Sequence, residues 1–318
     1  MTAGLLDVPR VRLGTFPTPL HPAPRLSAEL GVEIWFKRDD LTGLGLGGNK
    51  VRGLEYLLAD AERHGCDCLV TGGGPQSNWA MLAALAARVR GLDAVLVGSG
   101  GPVPPTGNLA LAVQAGAQVR FTGDEDRASV DLAVDEVAAQ LRAAGRVPYP
   151  LGRGGATALG ALGYVAATLE LVTQLHERGL RPAALWLATG SCGTQAGLCA
   201  GTAWLRPGYD VVGVSVSRPV AECVERIERI AAEAAALLGT PVDDHPPVVI
   251  DGRGPAKGAR APEADAAAEL VARTEGVFLD PVFGAKAMAG LAAAARAGTV
   301  RGPAVYLVTG GAPTLFTG

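Results

Sequence analysis

The chain has 318 residues and a formal net charge of −3, with hydrophobic residues at 48% and charged residues at 19%. This composition is typical of globular proteins, and because lysines and arginines form no cluster, neither nucleic acid nor an anionic membrane is an expected partner. No long apolar run predicts a membrane span, the N-terminus lacks a signal-peptide pattern, and five cysteines do not suggest a disulfide framework. We therefore expect a cytoplasmic protein.

Short apolar strands alternate with Ala-rich helices along almost the whole chain. We predict strands at residues 32–37, 68–72, 94–98, 118–121, 184–190, 210–216, 247–250 and 304–310. Helical segments such as SNWAMLAALAARVRG and PVAECVERIERIAAEAAALLG lie between them. This alternation is typical of α/β proteins with parallel sheets covered by helices on both faces. Two strand-to-helix turns that each open a site favour two sheets over one.

A glycine-rich loop delivers a lysine to the start of a helix. The segment GLGLGG precedes Asn49 and Lys50, and apolar residues at helical spacing predict a helix from about Lys50 to His64. A cation at a helix N-terminus meets the positive end of the helix dipole, and the glycines cost conformational entropy, so this placement indicates chemistry rather than stability. In a dry site the protonated form would be disfavoured, which supplies a nucleophilic amine.

Two further glycine-rich turns follow strands and precede helices. In ATGSCGTQAG, backbone N–H groups and hydroxyls at residues 190–194 suit a phosphate, and the alternative is a plain turn between strand and helix. Neither a P-loop nor a dinucleotide fingerprint is present. In TGGGPQSN, Ser77 and Asn78 either cap the next helix or help to form a carboxylate pocket.

These three features suit one cofactor in combination. A reactive amine, a phosphate site and a carboxylate pocket are what pyridoxal 5′-phosphate and an amino acid substrate require. We therefore expect the cofactor to attach to Lys50, with its phosphate at residues 190–194 and a small amino acid as the substrate.

The chain resembles a known family over nearly its whole length. The shared motifs are FPTPLHPAPRLS, IWFKRDDLTGLGLGGNKVRGLEYLL, TGGGPQSN, GALGYV, ATGSCGTQAG, GVSVSRP, LDPVFGAKAMAGL and TGGAPTLF. They are similar to D-cysteine desulfhydrase and 1-aminocyclopropane-1-carboxylate deaminase, which are tryptophan-synthase-β-like, fold type II pyridoxal phosphate enzymes. The resemblance implies two open, twisted, mostly parallel sheets covered by helices and a homodimer. It also implies a large domain of residues 1–53 and 160–318 and a small mobile domain of residues 54–159.

The resemblance also implies roles for individual residues. Lys50 would hold the cofactor covalently and later act as the base at Cα, Asn78 would contact the phenolic oxygen of the ring, and Thr309 would face the pyridine nitrogen. Ser77 and its neighbours would receive the substrate carboxylate. The candidate catalytic residues are Lys50 and Ser77. The candidate cofactor-binding residues are Asn49, Lys50, Asn78, Gly190, Ser191, Cys192, Gly193, Thr194, Phe283 and Thr309, and the candidate substrate-binding residues are Gln76, Ser77, Asn78, Trp79 and Lys257.

Three positions depart from the pattern of this family. Trp79 stands where a histidine is common, and Phe283 and Lys257 stand at the positions of two active-site tyrosines. Phe283 can stack on a ring but has no hydroxyl for proton transfer. The departures predict that the native substrate has diverged, and they affect the cyclopropane ring opening most because that step is assigned to a Tyr–Glu pair.

We expect a lyase that deprotonates Cα of a small amino acid and eliminates its β substituent, releasing ammonia and a 2-oxo acid. A β-replacement synthase shares the first steps, and its second substrate would be acidic if Lys257 binds it. A non-catalytic protein that only binds the cofactor is the third alternative, although such a protein need not retain Lys50.

Two other groups of residues are not assigned a functional role. Cys66 and Cys68 lack further ligands at zinc spacing, so no metal site is predicted. The run Lys37-Arg38-Asp39-Asp40 is interpreted as a charged strand edge.

Overall fold

The computed structural model describes residues 4–243, 245–254 and 261–316, so the candidate residue Lys257 lies outside the described residues. Ten strands are present in the described part of the chain. They are β1 (Leu20–Pro22), β2 (Ile34–Arg38), β3 (Cys68–Gly73), β4 (Asp93–Gly98), β5 (Gln118–Phe121), β6 (Pro148–Pro150), β7 (Ala184–Thr189), β8 (Asp210–Ser215), β9 (Val248–Asp251) and β10 (Ala304–Val308). All eight predicted strands are confirmed, with ends shifted by a residue or two, whereas β1 and β6 were not predicted.

The strands form two sheets, as the sequence predicts. The six-stranded sheet has the order β1-β2-β10-β7-β8-β9, and the four-stranded sheet has the order β5-β4-β3-β6. Every neighbouring pair is parallel except β1 and β2, which are antiparallel. Both β1 and β6 have only three residues and contain proline, and such short segments carry too little periodicity to be recognised from sequence.

Ten α-helices cover the faces of the two sheets in the described part of the chain. They are α1 (Pro24–Leu30), α2 (Lys50–Arg63), α3 (Asn78–Val89), α4 (Gly107–Gln114), α5 (Ser129–Ala143), α6 (Ala158–Glu177), α7 (Gly193–Leu205), α8 (Val220–Leu238), α9 (Pro262–Glu275) and α10 (Gly284–Arg296). Buried side chains of α1, α9 and α10 share one apolar cluster with the six-stranded sheet, and those of α6 and α7 pack on its other face. Likewise α2 and α3 pack on one face of the four-stranded sheet and α5 packs on the other. The α/β class with two sheets is thereby confirmed.

Close helix contacts hold α6 in the centre of the molecule. A Cβ on Gly163 would lie 2.4 Å from the backbone of Arg52 in α2, and a Cβ on Gly197 of α7 would lie 2.2 Å from the carbonyl oxygen of Ala161. By length and composition α6 is also apolar enough to cross a membrane. Since α6 packs against α2, α7 and α8, we interpret it as a core helix.

The run at residues 37–40 is not the charged strand edge that the sequence suggests. β2 lies between β1 and β10, and Lys37 and Asp39 are buried. Asp39 accepts hydrogen bonds from Arg52 Nε at 2.7 Å and Nη2 at 2.8 Å, and Glu170 of α6 pairs with both Arg52 and Lys37. The correction has a simple physical cause, because the buried charges of Lys37 and Asp39 are paired with partners outside the run that the local sequence does not reveal.

Candidate active site

The loop before α2 wraps tightly so that Lys50 becomes the first residue of the helix. Thr42 Oγ1 accepts from the N–H of Gly48 at 2.8 Å, and the N–H of Asn49 donates to the carbonyl oxygen of Thr309 at 3.0 Å. Gly47 has a φ of 74°, and a Cβ there would lie 1.9 Å from the carbonyl oxygen of Asp40. Gly47 is therefore required by a close backbone approach, and the predicted helix start is confirmed.

The amine of Lys50 faces the turn that follows β7. Lys50 Nζ donates to Ser191 Oγ at 3.1 Å. The residue as a whole is partly exposed, but protein atoms surround the amine, and this burial lowers the pKa of Lys50 to about 8. Loss of hydration disfavours the charged form, so about a tenth of the amine is neutral and nucleophilic at pH 7, far more than for an exposed lysine.

The turn at residues 190–194 presents a helix N-terminus to the same space. α7 begins at Gly193, where the first N–H groups have no acceptor within the helix. Cys192, which precedes α7, adopts a left-handed φ of 75°. Asn49 Nδ2 donates to Thr194 Oγ1 at 3.0 Å, which ties this turn to the Lys50 loop. The turn thus combines free backbone donors with a hydroxyl beside the lysine, which suits an anion.

The thiol of Cys192 has a partner of its own. Its side chain is buried, and the hydrogen bond with Cys223 of α8, together with burial, raises the pKa of Cys192. A neutral thiol of this kind fills space beside the turn and leaves anion binding to the backbone.

The turn after β3 carries Ser77 and Asn78 to the start of α3. Ser77 Oγ accepts from the N–H of Ala80 at 3.2 Å, so this residue is a helix cap. Asn78 is the first residue of α3, and its Oδ1 accepts from Asn108 Nδ2 at 2.6 Å. Gln76 Nε2 donates to the carbonyl oxygen of Thr106 at 3.0 Å. The sequence offered a helix cap and a carboxylate pocket as alternatives for these residues. The two roles are compatible, because the Ser77 cap occupies the N–H of Ala80 and leaves the other first N–H groups of α3 available to a carboxylate.

Trp79 lies in the core between α3 and the four-stranded sheet. Only 3% of its surface is exposed, its indole N–H donates to Thr71 Oγ1 at 2.8 Å, and a Cβ on Gly155 would lie 2.1 Å from its ring. Gly155 belongs to a turn in which the neighbouring Gly154 lies against Ser191. Trp79 therefore packs against this turn at Gly155, whereas Ser191 lies against it at Gly154. The predicted contact between Trp79 and the substrate stays a prediction.

The remaining candidate residues, Phe283 and Thr309, lie on the side of the site formed by the six-stranded sheet. A Cβ on Gly190 would lie 3.0 Å from the ring of Phe283, and a Cβ on Gly311 would lie 2.9 Å from Asn78 Nδ2. Thr309 follows β10 and is partly exposed. The structure thus brings residues 49–50, 77–78, 190–194, 283 and 309 together where the carboxyl ends of β3, β7 and β10 meet, as expected for a site in parallel sheets.

Two buried residues of this region were missed by sequence analysis. Asp280 accepts from the N–H groups of Val282, Phe283 and Gly284 at 2.8–3.0 Å and shapes the turn that holds Phe283. Burial raises the pKa of Asp280 even though these donors favour its charge. Asn108 contacts Asn78, as described above. Asp280 lies in a recognised motif, whereas no local pattern around Asn108 points to Asn78.

Comparison with known proteins supports the same cofactor. The family described as pyridoxal-phosphate dependent enzymes matches residues 11–310. The chain belongs to this family. It is 39% identical over 308 residues to a putative 1-aminocyclopropane-1-carboxylate deaminase of Pyrococcus abyssi, with 97% of this chain and 93% of the relative covered. It is 40% identical over 323 residues to a D-cysteine desulfhydrase of Serratia proteamaculans, with 98% and 96% covered.

A solved structure agrees with these matches. The crystal structure of a homologue of ACC deaminase superimposes with a TM-score of 0.93 at 38% identity, covering 98% of this chain and 94% of the other. The resemblance stated from the motifs and the fold type II architecture are both confirmed.

The described residues of this pyridoxal-phosphate dependent enzyme fit the cofactor. The groups they supply are one enclosed amine with a lowered pKa, a helix N-terminus whose first N–H groups have no acceptor within the helix, an aromatic ring beside Gly190 and an amide nitrogen beside Gly311. These match the aldehyde, the phosphate, the ring face and the ring oxygen of pyridoxal phosphate. Lys50, the turn at residues 190–194, Phe283 and Asn78 are the residues that would hold them.

Proposed function

We propose that this enzyme deprotonates Cα of a small amino acid and eliminates its β substituent, releasing ammonia and a 2-oxo acid. The observation that carries the proposal is the amine of Lys50, which is enclosed, has a pKa of about 8 and lies 3.1 Å from Ser191 in the anion-binding turn. Two relatives bear names that fit this chemistry, a D-cysteine desulfhydrase and a putative 1-aminocyclopropane-1-carboxylate deaminase.

Each part of the site has a task in this reaction. Pyridoxal phosphate, when bound, accepts the electrons left at Cα. The N–H groups at the start of α7 and the hydroxyl of Thr194 would hold the phosphate, beside the Lys50 amine that contacts Ser191 of the same turn. The N–H groups at the start of α3 and the Ser77 hydroxyl receive the substrate carboxylate. The Lys50 amine would hold the cofactor and would take the proton from Cα of the substrate.

The test begins with the attachment site. The purified protein should be yellow, and borohydride reduction should leave a phosphopyridoxyl mass on one peptide. Because the chain has only four lysines, at positions 37, 50, 257 and 286, the assignment is unambiguous. A label on any peptide other than the one carrying Lys50 would remove the basis of the proposal.

A second experiment identifies the substrate. The holoenzyme is incubated with a panel of D- and L-amino acids, and formation of a 2-oxo acid is measured for each. Addition of thiols to the same assays detects β replacement.

We further propose that the substrate has diverged from those named for the relatives. Phe283 lies against Gly190 and has no hydroxyl, so no phenol is available from this position. A missing general acid or base lowers the rate by about 10²–10⁴-fold. D-Cysteine should therefore be a slow substrate, and Phe283→Tyr should accelerate it, with Phe278→Tyr on the exposed surface as the control. Wild-type turnover as fast as that of the Serratia enzyme, with no gain from Phe283→Tyr, would contradict divergence.

We also propose the predicted division into domains, a homodimer and a cytoplasmic location. The four-stranded sheet takes its strands from residues 68–150, which supports a small domain of residues 54–159, although α2 runs through the predicted boundary from Lys50 to Arg63. The location rests on the five cysteines, all of which are free. Light scattering on the holoenzyme tests the homodimer.

A further inference from the structure

Asn108 is a buried polar residue whose side chain contacts a proposed cofactor ligand. It lies at the start of α4 and is 1% exposed. Its Nδ2 donates to Asn78 Oδ1 at 2.6 Å and to the backbone oxygen of Gln76 at 3.0 Å. Its backbone N–H donates to Gln76 Oε1 at 3.0 Å. Asn108 therefore connects α4 with the turn that carries Ser77 and Asn78.

These contacts determine which way two side-chain amides point. The backbone oxygen of Gln76 can only accept a hydrogen bond, so the Asn108 atom beside it must be the amide nitrogen. The same nitrogen meets Asn78, so the Asn78 atom that it meets must be the oxygen. Asn78 Nδ2 is then left on the opposite side, where Gly311 approaches from the six-stranded sheet.

The orientation of Asn78 has a chemical consequence. The phenolic oxygen of pyridoxal phosphate carries negative charge, and it is stabilised by a donor and repelled by an amide oxygen. With Asn108 in place, Asn78 turns its nitrogen toward the space between the sheets. Without Asn108, the Asn78 amide can rotate and present either atom.

We propose that Asn108 is a positioning residue that holds the Asn78 amide with its nitrogen toward the phenolic oxygen of the cofactor. This inference rests on the proposed function, through the assignment of Asn78 to that oxygen. It also gives Gln76 a task, because both ends of its side-chain amide are bonded to the segment that carries Asn108. Gln76 thereby supports the site from behind, whether or not it also contacts the substrate.

The experiment measures the pH titration of the visible absorbance band of the holoenzyme without substrate. Asn108→Asp keeps the size of the side chain but replaces the donor with an acceptor, and Asn108→Ala removes the contact without adding charge. Since a ring oxygen that loses a charged hydrogen bond holds a shared proton more strongly, the midpoint should rise by roughly one pH unit in Asn108→Asp, as in Asn78→Ala. It should rise by a smaller amount in Asn108→Ala, where Asn78 can still present its nitrogen part of the time. Thr106→Val removes a neighbouring hydroxyl that accepts from Gln76 Nε2 at 3.2 Å, and because Gln76 Nε2 keeps its bond to the backbone oxygen of residue 106, the midpoint should stay unchanged.

A double variant separates positioning from general disturbance of the fold. If Asn108 acts through Asn78, then Asn78→Ala/Asn108→Ala should titrate at the midpoint of Asn78→Ala alone. A wild-type midpoint in the folded Asn108→Ala protein, beside a shifted Asn78→Ala protein, would overturn the proposal, as would additive shifts. If Asn108→Asp does not fold by circular dichroism, the alanine variants decide the question. Failure of the proposed function gives a different result, because the wild type would then have no visible band on Lys50.

Discussion

Lys50 and Arg52 are two enclosed cations on the first turn of α2, and their surroundings are opposite in character. Arg52 donates hydrogen bonds to both carboxylates of Asp39 and Glu170, and its guanidinium also lies 4.4 Å from the ring centre of Phe16. Burial opposes its charge, but Asp39 and Glu170 raise the pKa of Arg52 well above its usual value. Lys50 has one described hydrogen bond, to the neutral hydroxyl of Ser191, and burial lowers its pKa to about 8.

The difference shows how one helix turn serves stability and chemistry together. A buried charge with carboxylate partners is fixed in place and keeps its proton. A buried amine without a carboxylate partner gives up its proton readily, which is what a nucleophile and a base require. The Arg52 network, formed by Thr18, Lys37, Asp39, Arg52, Tyr164, Glu170 and Gln174, anchors the helix so that Lys50 can remain uncompensated.

The largest effect should come from removing the reactive cation. Lys50→Ala should lower turnover by at least on the order of 10⁴-fold, because it removes both the proposed attachment point and the proposed base. Its free energy of unfolding without cofactor should not fall more than about 1 kcal/mol below that of wild type and can rise, since no paired charge is lost and a buried charge that opposes folding is removed. Steady-state kinetics and urea denaturation of the apoprotein measure the two quantities.

The control for this variant is Lys286→Met, which changes another buried lysine, whose one hydrogen bond among the described residues is to the backbone oxygen of Arg253. It should retain the yellow colour. A Lys50→Ala protein that kept covalent cofactor, or that lost several kcal/mol of stability, would erase the contrast between the two cations.

The next effect tests the structural cation. Arg52→Met leaves Asp39 and Glu170 without their main partner, so the free energy of unfolding should fall by about 3–5 kcal/mol. Denaturant unfolding of the apoprotein measures the loss. Arg229→Ala is the control, because its pair with Glu233 is exposed and should contribute less than about 1 kcal/mol. If both variants lost the same free energy of unfolding, the buried network around Arg52 would contribute no more to stability than an exposed ion pair.

The contrast also explains what could be predicted from the sequence. The loop at residues 43–50 and the turns at 72–78 and 190–194 carry local patterns of glycines and polar residues, so Lys50 and its neighbours were recognisable. The Arg52 network was not, because Asp39 and Glu170 are far apart in the chain and the run at residues 37–40 reads like a solvated edge. Asn108 was missed for the same reason, since its partner is 30 positions away.

A third prediction concerns the turn at residues 190–194, which faces Lys50 and is the proposed phosphate site. A Cβ on Gly193 would lie 3.2 Å from Ala156, so Gly193→Val should displace the first N–H groups of α7 and weaken cofactor binding by about 1–3 kcal/mol. Thr194→Ala removes one hydroxyl and should cost about 1 kcal/mol. Titration of the apoprotein with pyridoxal phosphate gives both affinities. Full occupancy of the Gly193→Val protein at wild-type affinity would place the phosphate elsewhere.

The smallest effect follows from the proton of Lys50 itself. In the apoprotein the pKa of Lys50 is lowered to about 8 by burial, so the neutral amine, which attacks the aldehyde, is the minor form at pH 7 and the major form at pH 9. The rate of cofactor uptake should therefore rise about tenfold between these pH values and then level off. The free energy of unfolding of the apoprotein should also rise with pH. An unfolded lysine keeps its proton up to about pH 10.5, whereas folded Lys50 loses it at about pH 8, so stability rises between these two pH values.

Stopped-flow absorbance, normalised to the reaction of a simple alkylamine with the same cofactor, measures the rate of cofactor uptake. A rate that continued to climb to pH 10.5 would show that Lys50 titrates like an exposed lysine, and the contrast with Arg52 would then lie only in its partners and not in its chemistry.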